Sequence, residues 1–188
     1  MRIPVLDNGG QWTHREWRVL RDLGVESEIV PNTTPFAELR ADGVVLSGGA
    51  LSLEGSDVPL GRIGEWIDTA PVPVLGICVG HQFLGRHFGG TVGKGAAPEF
   101  GRVAVSVDHP EHPLFQGVPP AITVWASHND QVLRLPPGWL RLARSEVCPI
   151  QAMADPIRPI FGVQFHPEVE HTAHGREIFQ NFLTLCRR

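Results

Sequence analysis

The chain has 188 residues, 42% of them apolar and 19% charged, with a formal net charge of −4. That is enough chain for one compact domain, which at this size buries roughly 70% of the surface its unfolded form exposes. The mild acidity and the lack of like-charge runs exclude a nucleic-acid or anionic-membrane footprint, and no apolar run approaches the length of a membrane span. Three cysteines, Cys78, Cys148 and Cys186, are an odd and widely spaced set, which argues against a disulfide framework and for a reducing cytoplasm. The first apolar run meets Asp7 too early for a signal peptide.

In chain order, short apolar runs alternate with helical patterns, the mark of an α/β sheet with crossover helices. Strands are predicted at Ile3–Leu6, Ser27–Val30, Val44–Leu46 and Val74–Ile77. A helix is expected over Trp12–Leu23, with Gly24 as its stop. Leu60, Ile63 and Ile67 recur at i, i+3 and i+7 and predict a helix before the fourth strand. A further helix should start straight after Cys78 and end at Gly89-Gly90. The second half reads as strands joined by Pro- and Gly-rich turns, at Arg102–Val107, Ala121–Val124, Leu140–Ala143 and Ile150–Met153, several of them antiparallel additions. Ile160–Phe165 is a last apolar strand and Gly175–Leu185 a closing helix. The expected fold is a single-domain, three-layer α/β structure over residues 1–188. Its open, mixed, mostly parallel sheet has helices on both faces around a flavodoxin-like core.

The segment Val74-Leu75-Gly76-Ile77-Cys78-Val79-Gly80-His81-Gln82 carries the most chemical information. It is an apolar strand, then Gly-x-Cys-x-Gly, then a helical pattern. With serine in place of cysteine this is a nucleophile elbow, a sharp strand-to-helix turn that exposes its central residue. A helix N-terminus favours the thiolate over the thiol. Cys148, before Pro149, and Cys186, near the end of the chain, lack that context. In Phe161-Gly162-Val163-Gln164-Phe165-His166-Pro167-Glu168 a histidine ends an apolar strand, where α/β sheets gather their chemistry. A thiol nucleophile needs an imidazole for proton transfer and a carboxylate to orient it, and His166 and Glu168 supply both. The pairs His109/His112 and His171/His174 lack a completing ligand set, so no metal is expected. No Gly-Lys-Ser/Thr phosphate loop exists, so no nucleotide is expected on this chain.

Taken with Asp7-Asn8-Gly9-Gly10-Gln11, Ser47-Gly48-Gly49 and Ser127-His128-Asn129-Asp130, these segments resemble the class I (triad-type) glutamine amidotransferases over essentially the whole chain. The His166-Pro-Glu-Val-Glu-His-Thr172 run is similar to the branch that serves as glutaminase subunit of archaeal-type two-subunit GMP synthases. The resemblance implies that Cys78 attacks the glutamine amide, His166 moves protons and Glu168 orients His166. It also implies an oxyanion hole from the backbone N–H groups of Gly49 and Val79. Substrate contacts would come from Gln82, and from the main chain around Asn129 and Asp130, with Asn129 in a turn that tolerates left-handed backbone. The family usually has proline where this chain has Ala50, and the Gly48–Leu51 loop is expected to need a docked partner to set its N–H groups. No cofactor is implied here; ATP and Mg are expected on a separate synthetase subunit that aminates XMP to GMP. The alternatives are a glutaminase subunit for anthranilate or aminodeoxychorismate synthesis, a stand-alone cysteine hydrolase of γ-glutamyl amides, and a non-catalytic module that has kept the fold.

Overall fold

The computed structural model describes residues 1–54 and 59–187. A nine-stranded sheet runs in the order β2-β1-β3-β4-β9-β8-β7-β5-β6. Its parallel half comprises β1 (Val5–Asp7), β2 (Ile29–Pro31), β3 (Val44–Leu46), β4 (Val74–Ile77) and β9 (Ile160–Val163). Antiparallel pairing then adds β8 (Ala152–Ala154), β7 (Leu140–Arg144), β5 (Thr91–Val107) and β6 (Ala121–Arg134).

Strand alternation divides the apolar residues between two cores. Val5, Val45, Leu75, Ile77, Phe161 and Val163 face a cluster closed by Leu20 of α1 (Thr13–Asp22) and Ile178, Phe179 and Phe182 of α4 (Gly175–Leu185). Leu6, Val44, Leu46, Val74 and Ile160 face the other, closed by Leu39 of α2 (Phe36–Leu39) and Phe83 and Leu84 of α3 (Val79–His87). The parallel strands β3, β4 and β9 are buried throughout, as strands covered on both faces must be. The expected three-layer mixed sheet is the one observed, and the closing helix has the predicted bounds.

Three expectations need correction. The repeat at Leu60, Ile63 and Ile67 does not form an α-helix but two 3₁₀ turns, Ile63–Glu65 and Ile67–Thr69. Those side chains still point into one core, so the apolar spacing reported burial correctly and backbone type wrongly. The strands expected at Arg102–Val107 and Ala121–Val124 are the ends of a much longer hairpin, whose 17- and 14-residue strands bracket a register shift between Lys94 and Glu99. Ser127–Asp130 therefore lies inside β6, and Asn129 is not among the residues with left-handed backbone. Among the described residues no helix is long and apolar enough to cross a membrane.

Candidate active site

The carboxyl ends of β1, β3, β4 and β9 open together on a cavity of about 1020 Å³ lined by residues that include Gly48, Gly49, Cys78, Val79, Gln82, Asn129, Asp130 and His166. Cys78 stands between β4 and α3 at φ 49° and ψ −104°, in left-handed territory that an L-residue occupies only under constraint. Its neighbours impose that geometry. A Cβ on Gly80 would lie 2.4 Å from the Leu46 carbonyl oxygen, and one on Gly76 would lie 2.6 Å from the Gly80 backbone. Only glycine lets the helix close on the sheet at both positions, and the turn so formed presents the Cys78 side chain to the cavity.

His166 is fixed from several sides. Its Nδ1 bonds Glu168 Oε1 at 2.7 Å, with both side chains buried. Its backbone N–H donates to Trp125 O at 2.9 Å, and its carbonyl accepts from the Thr172 hydroxyl at 2.6 Å, whose oxygen accepts in turn from Trp125 N. The His-Thr end of the sequence motif is thus a clasp that ties the His166 turn to β6. The Trp12 ring packs edge-on against His166, with centroids 4.4 Å apart. Burial disfavours the imidazolium, but the Glu168 carboxylate and the neighbouring Cys78 outweigh it, and the His166 pKa is pushed up to about 10. Gly48 completes the packing: a Cβ there would lie 3.1 Å from His166 Cε1 and 3.6 Å from Cys78 Cβ.

The two N–H groups expected to form an oxyanion hole both belong to cavity-lining residues. Among the described residues neither the Gly49 nor the Val79 N–H has a protein acceptor. Gly48 N–H is instead turned to Glu16 Oε1 at 3.2 Å. The Gln82 side chain is buried, and its amide NH₂ donates to Asp130 O at 2.6 Å and to Gln164 Oε1 at 3.2 Å. It thereby braces β6 from below while still lining the cavity. The Asp130 carboxylate accepts from the Ser52 hydroxyl, joining the rim strand to the segment after β3. Asn129 is exposed at the rim. Trp12, Glu16, Ser52 and Gln164 escaped sequence reading. Of these only Trp12 carried a signal, an aromatic directly after the Asp7–Gln11 loop.

A second grouping, Glu99, His128 and Cys148, has its ligand-type atoms within 4.8 Å of one another. It does not offer a second nucleophile. Cys148 is fully buried, is not among the cavity-lining residues, and burial pushes its thiol up to about 12. The Glu99 carboxylate is already held by His128 Nε2 at 2.9 Å, Ser145 Oγ at 2.5 Å and Gln151 Nε2 at 2.5 Å. This network, in which the Glu99 carboxylate is fully engaged while His128 Nδ1 and Gln151 Oε1 are left without partners, pins the irregular stretch of β5 to β6. The other histidine pairs scatter: His109 bonds Glu111, His112 Nδ1 accepts from Leu114 N, His171 stacks on Trp125, and His174 faces Glu177.

A strained cysteine elbow facing a carboxylate-held histidine, on the parallel half of a mixed sheet, defines a cysteine hydrolase site of the amidotransferase kind. Residues 4–186 match the family model for class-I glutamine amidotransferases, and the chain belongs to that family. It is 52% identical over 187 residues to the glutamine-hydrolyzing GMP synthase subunit of Thermoplasma acidophilum, covering 99% of this chain and 93% of that protein. The protein of the same name from Thermococcus kodakarensis is 49% identical, with 98% of each covered. A crystal structure from T. acidophilum, described as that of a GMP synthase subunit, superposes with a TM-score of 0.93 at 51% identity, covering 100% of this chain and 94% of that one. A glutamine amidotransferase from Thermotoga maritima shares the fold, with a TM-score of 0.75 at 22% identity over 98% of this chain and 81% of that one.

Proposed function

We propose that this chain, a single amidotransferase domain over residues 1–188, hydrolyses L-glutamine with Cys78, His166 and Glu168. The ammonia passes to a separate ATP-dependent synthetase subunit that aminates XMP to GMP in a reducing cytoplasm. The observation that carries this reading is the Cys78–His166–Glu168 constellation at the cavity mouth, in a chain that shares about half its residues with glutamine-hydrolyzing GMP synthase subunits.

The chemistry follows from the geometry. The Cys78 sulfur attacks the amide carbon of glutamine, and the carbonyl oxygen takes the developing negative charge toward the Gly49 and Val79 N–H groups. His166, protonated while Glu168 supports it, gives its proton to the departing nitrogen. The C–N bond breaks, ammonia leaves and a γ-glutamyl thioester remains. His166, now neutral, takes a proton from water as the hydroxyl adds to the thioester. Collapse releases glutamate, whose carboxyl proton goes to solvent, and returns the Cys78 thiolate beside the protonated His166. Glu168 holds the imidazole in the required tautomer throughout. Gln82 and the Asn129–Asp130 main chain border the space left for the substrate's α-amino-acid end. The chain needs no cofactor for these steps; ATP and Mg belong to the synthetase.

The test is glutamate release by the chain alone and with the synthetase loaded with ATP, magnesium and XMP. Weak activity alone, rising at least about tenfold with the loaded partner, is expected, since one misplaced oxyanion donor costs roughly 3–4 kcal/mol. Full activity alone, unchanged by any synthetase, would favour a stand-alone hydrolase.

A further inference from the structure

Glu16 is a buried carboxyl to which the triad chemistry gives no task. It stands on the first turn of α1, 1% exposed, and yet borders the cavity. Its Oε1 accepts from Gly48 N–H at 3.2 Å, and its Oε2 is buried without a hydrogen-bond partner. Glu168 is arranged alike, with Oε1 taken by His166 and Oε2 without a partner. Glu16 and Glu168 are thus two buried carboxyl groups, each with one unused oxygen. The charged groups facing Glu16 are Glu168 and His166 beyond β9 and Asp7 at the end of β1. Burial, then the Glu168 carboxylate, hold the Glu16 carboxyl well above the usual range. The Gly48 N–H and His166 pull the other way, and Asp7 adds to the rise.

We propose that Glu16 is a positioning residue of the glutaminase site, whose Oε1 fixes the Gly48 peptide and so leaves the following Gly49 N–H free for the oxyanion. This rests on the triad reading above. The acceptor matters because Gly48 and Gly49 have no side chains to hold them, and the loop continues into Ala50, whose φ no ring fixes. Neutrality matters because a second negative charge beside Glu168, under a loop that must receive an oxyanion, opposes the charge developing in the transition state. Ionisation of Glu16 therefore lowers turnover on the alkaline side.

Two substitutions separate acceptor from charge. Glu16→Gln keeps an oxygen acceptor for Gly48 N–H and cannot ionise; Glu16→Leu removes both at similar volume. Steady-state glutamate release is followed with the full chain and its synthetase between about pH 6 and pH 10. Glu16→Leu should lower kcat about tenfold near neutral pH with KM changed by less than about threefold. Glu16→Gln should recover kcat to within about twofold of the parent and hold it to higher pH. Glu16→Leu matching the parent, Glu16→Gln falling as far as Glu16→Leu, or superimposable pH profiles for Glu16→Gln and the parent would each overturn the proposal. If the leucine variant does not fold, the glutamine profile decides alone. Cys78→Ala, run alongside, tells the two readings apart: turnover that survives it, or none from the parent, breaks the triad reading and this proposal with it.

Discussion

In the parallel half of the sheet, β1, β3, β4 and β9 each stop at the cavity and deliver a loop or a side chain end-on: Gly9–Gln11, Gly48–Gly49, Cys78 and His166. In the antiparallel half, β6 passes the cavity along its flank and delivers main chain from its middle, at Ser127–Asp130. The first half therefore holds the proposed reacting groups by strand termini and glycine-tight turns. The second holds a wall, kept in place by side chains behind it: Gln82 under Asp130, and Glu99 with Ser145 and Gln151 around His128. Chemistry and rim are built by different means, and damage to each should read out differently.

The largest effect expected is in the parallel half. Cys78→Ala should reduce glutamate release by roughly 10⁵-fold or more while leaving the melting temperature at or above that of the parent. The φ of 49° is a strain that alanine bears equally, so removing the sulfur keeps the backbone of the elbow and gives up little beyond the proposed chemistry. His166→Ala should come close to it. Glu168→Gln should retain roughly ten- to a hundredfold more activity than either, because orientation is partly kept by Thr172, Trp125 and Trp12. A diazoketone analogue of glutamine should label Cys78 and spare Cys148 and Cys186. Loss of activity with label on Cys148 would move the chemistry to the other half of the sheet and end the comparison.

A smaller effect, of the opposite kind, is expected behind the rim. Glu99→Gln leaves Ser145 Oγ and His128 facing an amide in a site built for a carboxylate. Unfolding free energy should fall by about 3 kcal/mol, read by denaturant titration, with glutaminase activity per folded molecule changed only a few-fold. Activity collapsing with stability intact would make this network part of the chemistry.

The same division explains what could be read in the sequence. Gly-x-Cys-x-Gly and His-Pro-Glu are local patterns, because a strand end and its turn are contiguous in the chain. Cys78, His166 and Glu168 could be proposed from such patterns, and the parallel strands were legible in the same way. The long hairpin was not: β5 carries Lys94-Gly-Ala-Ala-Pro98, residues that read as loop but span a register shift inside a strand. Glu16 was invisible for a related reason. On its helix it looks like any first-turn carboxylate, and only the approach of Gly48, 32 residues away, buries it.

The most gradual effect is a matter of pH, and it sets the two halves against each other. His166 has a folded pKa raised to about 10 by Glu168 and Cys78 against its burial. Its contribution to stability is fully present below its unfolded pKa, near 6.5, and is lost as pH rises from there through about 10. Glu99 is the reverse. Burial raises it, but His128, Ser145 and Gln151 together overcome that and hold it below the usual carboxylate range. Its contribution is present above its unfolded pKa and disappears as pH falls through the lowered folded value. Each involves one proton, so neither slope exceeds about 1.4 kcal/mol per pH unit. Unfolding free energies across the pH range, for the parent, His166→Ala and Glu99→Gln, resolve the two. The parent's alkaline loss should flatten in His166→Ala and persist in Glu99→Gln, while part of its acid loss should flatten in Glu99→Gln and persist in His166→Ala. An alkaline slope unchanged by His166→Ala would mean that the imidazolium is not stabilised by its partners in the folded chain. The site would then hold Cys78 beside a neutral histidine, and the proton given to the departing ammonia would have to arrive from the solvent in the cavity.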